Sequence, residues 1–373
     1  MTAQTYDAAV VGGGLVGSAI AWGLTRRGLS VVLLDEGDVA FRASRGNFAL
    51  VWVQGKGDGQ PAYTRWTRLS ATEWPGLRDA LREVTGIETE LHQPGGVHLC
   101  FTDQEIAERL ALLERLREGA GNHGYEYRLI QGRELADMLP GIGPKVIGAT
   151  WTPYDGHVNS LKLLHALHRA FAAAGGRYLP NAKLTAATAK PNDFRLSTEA
   201  GDVIASRVVL AAGLGNRDLA PIFGLSAPVV PNKGQVLVTE RAREVLPMPT
   251  TFVRQTGEGT IMMGDSKEDA GFDLSQKRDV MATIAARAVA SFPWLADLNI
   301  VRAWSALRVM SADGFPIYEQ SRTSPGAFVA NCHSGVTLAA AHALALAPMI
   351  ADGALDPMLA PFTPARFDVP AAA

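Results

Sequence analysis

Two short, unbroken apolar runs frame a helical repeat near the start of the chain. Ala8-Ala9-Val10-Val11 and Val31-Val32-Leu33-Leu34 have the length and side-chain branching of strands buried on both faces. Between them, a helix over 15–27 carries Ala19, Ala21 and Leu24 toward the sheet and stops at Gly28, which tolerates the left-handed backbone of a helix terminus. Strand, helix and strand in that order predict a βαβ unit. An irregular stretch over 36–60, rich in Gly, Arg, Ser and Asn, follows; loops that long inside compact domains are usually functional.

Beyond it the pattern predicts a helical region over 63–84 interrupted at Pro75, a strand over 96–101, and a helix over 104–118 capped by Asp103. Ile106, Leu110, Leu113 and Leu116 recur there at helical spacing. Asp155-Gly156-His157-Val158-Asn159-Ser160 opens a helix over 161–174 that closes at Gly175-Gly176. Short strands around 184–187 and 194–197 precede Val208-Val209-Leu210-Ala211-Ala212-Gly213, a buried parallel strand running into a glycine turn. From 234 to 311 the chain changes to alternating strands, 235–238 and 260–263, with one helix over 275–291. A last buried strand over 326–330 leads through Asn331-Cys332-His333-Ser334-Gly335 into the final long helix, whose N-terminus is a second place to meet a phosphate or a ring.

Chemistry enters at the first βαβ unit. Gly12-Gly13-Gly14-Leu15-Val16-Gly17 fills G-x-G-x-x-G directly after a strand and at the start of a helix. Gly12 permits the tight turn, Gly14 lets backbone amides approach a pyrophosphate, and Gly17 lets the helix pack closely on the strand. Helix N-terminal N–H groups and the positive end of the helix dipole favour that anion. Asp35, at the end of the second strand, stands where an acid accepts hydrogen bonds from both hydroxyls of an adenosine ribose.

Composition narrows the classes. At 373 residues and 47% apolar, the chain is long enough for two domains, and with no linker or repeat between them they must be interleaved. A formal charge of −2 implies no nucleic-acid partner. Cys100 and Cys332 lie far apart without metal-ligand spacing, so neither a disulfide framework nor a metal site is expected. The chain runs almost at once into its first strand, and the apolar stretch 336–350 is too short to span a bilayer. The expectation is a cytoplasmic protein with no membrane span.

With these pieces in order, the chain resembles the FAD-dependent D-amino-acid oxidase superfamily, on the branch with glycine oxidase and sarcosine oxidase. The 12–35 fingerprint, Asp155-Gly156-His157-Val158-Asn159, Val209-Leu210-Ala211-Ala212-Gly213 and the run 304–338 carry that resemblance. Within the family, the segments 44–57 and 332–338 look most like the β subunits of opine and hydroxyproline dehydrogenases. The fold implied is mixed α/β (α+β): a Rossmann-like FAD-binding domain, assembled from 1–84, 153–230 and 325–373, interleaved with an antiparallel-sheet substrate domain from 85–152 and 231–324.

The resemblance implies extended FAD along Gly12, Gly14, Leu15, Val16, Gly17, Asp35 and Glu36. Ala43, Ser44, Arg45, Gly46 and Asn47 would follow the pyrophosphate and ring, Leu184 would flank the adenine, and Ala212, Gly213, Leu214, Gly335, Val336, Thr337 and Leu338 would complete the cradle. Arg308 matches an arginine that pairs with a substrate carboxylate, a task that suits a planar guanidinium fork; a structural ion pair is its other role. His333 is named with it as an active-site group, and Trp52, Lys56 and Arg254 as pocket wall. Ala306 stands where covalent relatives place a flavin-bearing cysteine, so noncovalent FAD is expected, and Met262 stands where oxidases carry a lysine.

The activity implied is oxidation of the C–N bond of a D-amino acid, proline-type substrate or opine to an imino acid. No general base is assigned. The alternatives are a flavin-carrying subunit inactive without partner dehydrogenase subunits, and a nicotinamide enzyme, since Asp35 also suits NAD. Whether the chain forms a homo-oligomer is left open.

Overall fold

The structure, a computed structural model, describes residues 4–37, 43–121, 124–243 and 245–368. Its centre is a six-stranded sheet in the order Ile317–Gln320, Ala327–Asn331, Val208–Leu210, Ala8–Val11, Val31–Leu34, Arg177–Leu179. All neighbours are parallel except Ile317–Gln320, which pairs antiparallel at one edge. The inner strands are apolar without alternation because both faces are covered. Ala8, Val10, Val31 and Leu33 pack with the helices Leu15–Arg26 and Ser160–Ala173 in one core. Their neighbours Ala9, Val11, Val32 and Leu34 face the other way, onto Phe194, Leu196, Val203 and Ala205. Those last residues belong to a second sheet, ordered Gln4–Tyr6, Gly201–Ala205, Asp193–Thr198, Leu184–Lys190.

A third core joins two antiparallel sheets. Val253–Gln255, Thr260–Met263, Val229–Arg241 and Ile300–Ser311 form one; Gly96–Cys100, Gly148–Thr152 and Arg128–Ile130 form the other. Val97, Leu99 and Ala149 meet Leu237, Val253 and Ile261 there, with Ile284 and Ala288 of the helix Arg278–Ser291. The strand Val229–Arg241 runs across the border expected at 230.

Several expectations are corrected. The helix Pro61–Thr85 is not interrupted at Pro75. Proline there removes the N–H that would bond the Ala71 carbonyl, and Gln93 Nε2 donates to that oxygen instead at 3.0 Å. The helix Asp103–Ala120 is capped by Thr102 rather than Asp103: its hydroxyl accepts from Glu105 N at 3.1 Å, while the Glu105 carboxylate accepts from Phe101 N. Strands Gln4–Tyr6, Arg177–Leu179 and Gly201–Ala205 escape the pattern because they are short and partly exposed. The final helix holds a wider π-type turn over His342–Leu346, just before Pro348, which has no N–H to give.

Among the described residues, no single helix is long and apolar enough to cross a membrane. Ala339–Asp352 and Pro357–Phe367 reach that length only as a pair bent by 106°.

Gln93 also donates to Tyr154 O at 2.7 Å, so Gln93→Leu strands two carbonyls. The substitution should lower unfolding stability by about 1–3 kcal/mol. A urea midpoint equal to wild type at unchanged slope would show that water replaces the amide at both oxygens.

Candidate functional site

The glycine turn is held by backbone packing too tight for side chains. Gly12 has φ +110° and a Cβ there would sit 2.4 Å from Ala211 O; one on Gly17 would sit 1.9 Å from Gly12 O. At Gly14 the obstacle is Ser44 Oγ, 2.8 Å from a Cβ, and that oxygen accepts from Leu15 N at 2.9 Å. The helix N-terminus therefore presents its amides to a hydroxyl brought from the 36–60 stretch.

Asp35 ends the strand Val31–Leu34 and turns back on the loop. Its Oδ2 accepts from Gly13 N at 2.7 Å and its Oδ1 from Gly37 N at 3.0 Å. Each carboxylate oxygen keeps a second acceptor site for a hydroxyl donor. The Gly13 carbonyl is held in turn by Ser18 Oγ at 3.0 Å and His168 Nε2 at 2.9 Å, and Tyr178 lies over the His168 ring at 4.9 Å. Ser18, His168 and Tyr178 are not legible as site residues in the sequence; a histidine on an amphipathic helix carries no local signal of such contact.

The remaining cradle residues converge from distant segments. Asn47 Nδ2 ties the short helix Ala43–Gly46 by bonds to Ala43 O and Ser44 O, and Trp304 Nε1 donates to Gly46 O at 2.9 Å. Arg45 lies within electrostatic range of His168 and Tyr178, and the Asp35 carbonyl accepts from Ala182 N, just before Leu184. Asn331 Nδ2 donates to Gly213 O at 3.2 Å, and Gly335 approaches Val16. Thr337 binds the last turn to the rest: Trp52 N donates to its hydroxyl, while Ser70 Oγ and Trp74 Nε1 donate to its carbonyl.

A cationic cluster occupies the other end. Lys56 Nζ lies 2.9 Å from His333 Nε2 and 2.8 Å from Ser334 Oγ, and Tyr63 OH donates to the same Ser334 oxygen at 3.0 Å. Burial pushes Lys56 down to about 8, with Lys267 and Arg308 pushing the same way and Cys332 and Asp265 opposing. Burial, Lys56 and Arg308 hold His333 well below the usual histidine range.

The structure gives Arg308 the ion-pair arrangement. Its Nη2 donates to Asp265 Oδ2 at 2.6 Å and Ser266 O at 2.8 Å, and its Nη1 to Asn232 Oδ1 at 2.9 Å. Gly234 makes room, since a Cβ there would lie 2.4 Å from Nη2. Arg254 is consumed inside the protein by Phe48 O, His157 Nδ1 and Met262 Sδ, and burial brings its guanidinium down to about 10. Trp52 is buried against Gly96 rather than presented at a surface.

Asp155, in sequence only part of a helix opening, positions the Lys56 loop. The carboxylate is fully buried and its Oδ1 accepts from Val53 N. Gln54 beside it accepts from Arg109 Nη2 and Thr150 Oγ1, each at 3.0 Å.

A profile of the FAD dependent oxidoreductase family, DAO, matches residues 7–349. The chain belongs to this family. It is 44% identical to an opine oxidase subunit from Agrobacterium tumefaciens (strain Ach5), with 97% of each chain covered. The opine oxidase subunit of the same name from Rhizobium meliloti is 43% identical, covering 97% of this chain and 98% of that protein. The crystal structure of glycine oxidase from Geobacillus kaustophilus superposes with a TM-score of 0.87 at 25% identity, covering 96% of this chain and 98% of that one.

The chain is thus an FAD-dependent oxidoreductase, which displaces the nicotinamide alternative. The glycine turn fits the group: Gly12 and Gly17 are closed to any side chain, the Leu15 amide at Gly14 is met only by the small Ser44 hydroxyl, and Asp35 offers carboxylate acceptors at the turn.

Asp35→Ala removes acceptors worth about 1.5–3 kcal/mol each and frees Gly13 N, so flavin should be lost on purification. A wild-type flavin-to-protein ratio would place the acid away from the cofactor. A second outcome concerns pH. Burial raises the Asp155 carboxyl from an ordinary 3.8 to about 7, against hydrogen bonds from Val53 and Gln54. Within that window the folded chain holds a proton the unfolded chain has released. Stability should therefore fall as pH rises, by up to about 1.4 kcal/mol per pH unit, and level off above it. Denaturant midpoints against pH should flatten in Asp155→Asn.

Proposed function

We propose that the protein oxidises the C–N bond of an N-substituted amino acid of the opine type. The supporting observation is charge: Lys56, Arg308 and Lys267 gather around His333 with Asp265 as the opposing carboxylate. Such a field suits a substrate carrying more than one carboxylate, and the opine oxidase subunits at 44% and 43% identity support the same class. Bound FAD supplies the hydride acceptor. The chain's part is to bind, orient and exclude water. In this reading the substrate carboxylate replaces that of Asp265 on Nη2 of Arg308, one carboxylate for another.

The cofactor is held without a covalent bond in the same reading. Ala306 has no nucleophile, and burial pushes the Cys332 thiol up to about 12, far from the reactive thiolate. The central sheet and the antiparallel sheets support a cofactor domain over 1–84, 153–230 and 325–373 and a substrate domain over 85–152 and 231–324. A second reading, favoured by the name of both relatives, is that the chain works as one subunit of a larger oxidase or dehydrogenase. The free thiols Cys100 and Cys332 support a cytoplasmic setting, which cell fractionation tests.

Anaerobic mixing with opines, prolines, D-amino acids and N-methyl amino acids decides the matter. Opines should bleach the flavin fastest, and Arg308→Ala should slow that second-order rate by roughly 30- to several-thousand-fold if the substrate carboxylate and guanidinium form a desolvated pair in the complex. Acid precipitation should leave the yellow colour in solution. Bleaching by none of these compounds, with or without copurified subunits, would end the reading.

A further inference from the structure

Lys56 Nζ has hydrogen-bond partners in two directions. Val53 N, three residues earlier, donates to the buried Asp155 carboxylate, so the loop is fixed at its base. The amine then reaches His333 Nε2 at 2.9 Å and Ser334 Oγ at 2.8 Å. Tyr63 OH donates to Ser334 Oγ at 3.0 Å, which orients that hydroxyl from its other side. A tetrahedral nitrogen with its carbon in one direction and N–H bonds in two others has a single vertex left. In the ammonium form that vertex is a third N–H; in the amine form it is a lone pair.

We propose that Lys56 is the base that takes the proton from the substrate's ammonium group, an inference that rests on the amine-oxidising reading above. The step balances without an oxidant. One substrate N–H bond breaks and its electron pair stays on the substrate nitrogen; a new N–H bond forms on Nζ, turning amine into ammonium. The substrate is left neutral at nitrogen, which is the form whose lone pair assists loss of hydride from the adjacent carbon. His333 and Ser334 keep their bonds throughout, so no heavy atom has to move.

The neighbours make lysine the right group. From the 264–268 segment Lys267 and Asp265 face it, from the strand Ile300–Ser311 Arg308, from the 331–335 turn Cys332, His333 and Ser334, and from the helix Pro61–Thr85 Tyr63. Burial with Arg308 and Lys267 outweighs Asp265 and Cys332 and brings the amine to about 8, within reach of neutral pH. His333 is held well below its usual range with Nε2 already occupied, and burial raises the Tyr63 phenol.

Two measurements test this on the FAD-loaded protein. In the first, trace acetic anhydride is applied across neutral and alkaline pH and the Lys56 peptide quantified by mass spectrometry. Half-maximal acylation should fall near about 8, against about 10.4 for an ordinary lysine. A Lys56 whose acylation rises together with that of the surface lysines is protonated at neutral pH and overturns the proposal. The second is anaerobic flavin reduction against pH. The wild-type rate should rise through about 8 and then level, because the free amine is the active form. Lys56→Met should lower the neutral-pH rate by about 10²–10⁴-fold with flavin content unchanged. Lys56→Arg, which keeps the charge without a usable base, should be equally slow. Added small primary amines should partly restore Lys56→Ala in proportion to their free-base concentration. A wild-type rate and pH profile in Lys56→Met, or full activity in Lys56→Arg, refutes the base and leaves the proposed function standing. If no substrate reduces even the wild-type flavin, that function fails instead, and the labelling result still judges Lys56.

Discussion

The close approach of backbone to backbone at the glycine turn is the constraint from which the rest of the molecule is arranged. Gly12, Gly17 and Ala211 meet at distances no Cβ could occupy, so the first helix and two neighbouring strands of the central sheet share one point of contact. That contact aims the helix amides outward and sets the Gly13 peptide, which Asp35 holds by its N–H and Ser18 and His168 by its carbonyl. A buried hydrogen bond of this sort contributes only about 0.5–1.5 kcal/mol net, but leaving either group unpaired would cost more. The Gly13 peptide is thus held from both of its polar groups.

The substrate end works by a different balance. Lys267 and Arg308 both act against the charge on the buried Lys56 amine, whose burial is the larger cost. The protein answers with Asp265, which accepts one charged hydrogen bond from Arg308, and with neutral acceptors on His333 and Ser334 for Lys56. A site that is electrostatically uneasy when empty gains from a bound anion. That is the physical link between the cluster and a carboxylated substrate.

Buried polar residues outside the site serve it at a distance. Asp155 carries no catalytic duty, yet its carboxylate fixes Val53 and so the loop bearing Lys56. Thr337 joins strand Leu50–Val51, helix Pro61–Thr85 and the last turn through one hydroxyl and one carbonyl. Trp304 carries the link onward, from the Gly46 carbonyl into the antiparallel sheet. The two sheet systems are thus joined by a few directional bonds.

What the sequence by itself determined was everything that depends on near neighbours along the chain. Unbroken apolar runs marked the doubly covered strands Ala8–Val11 and Val31–Leu34, and three glycines with an acid after the second strand marked the dinucleotide turn, because burial on both faces and close approach of backbone leave local signatures. Tertiary structure decided what depends on partners far away in sequence. Pro75 does not end its helix because Gln93 arrives to bond the freed carbonyl. Arg308 is paired because Asp265 sits across the sheet from it, and Arg254 is spent on Phe48, His157 and Met262 before any substrate arrives. Lys56 and His333 stand 277 residues apart and touch. Only their meeting, under shared desolvation and a common field of charge, turns a loop lysine into a titratable group near neutral pH; such effects depend on distance in space, which no local pattern encodes.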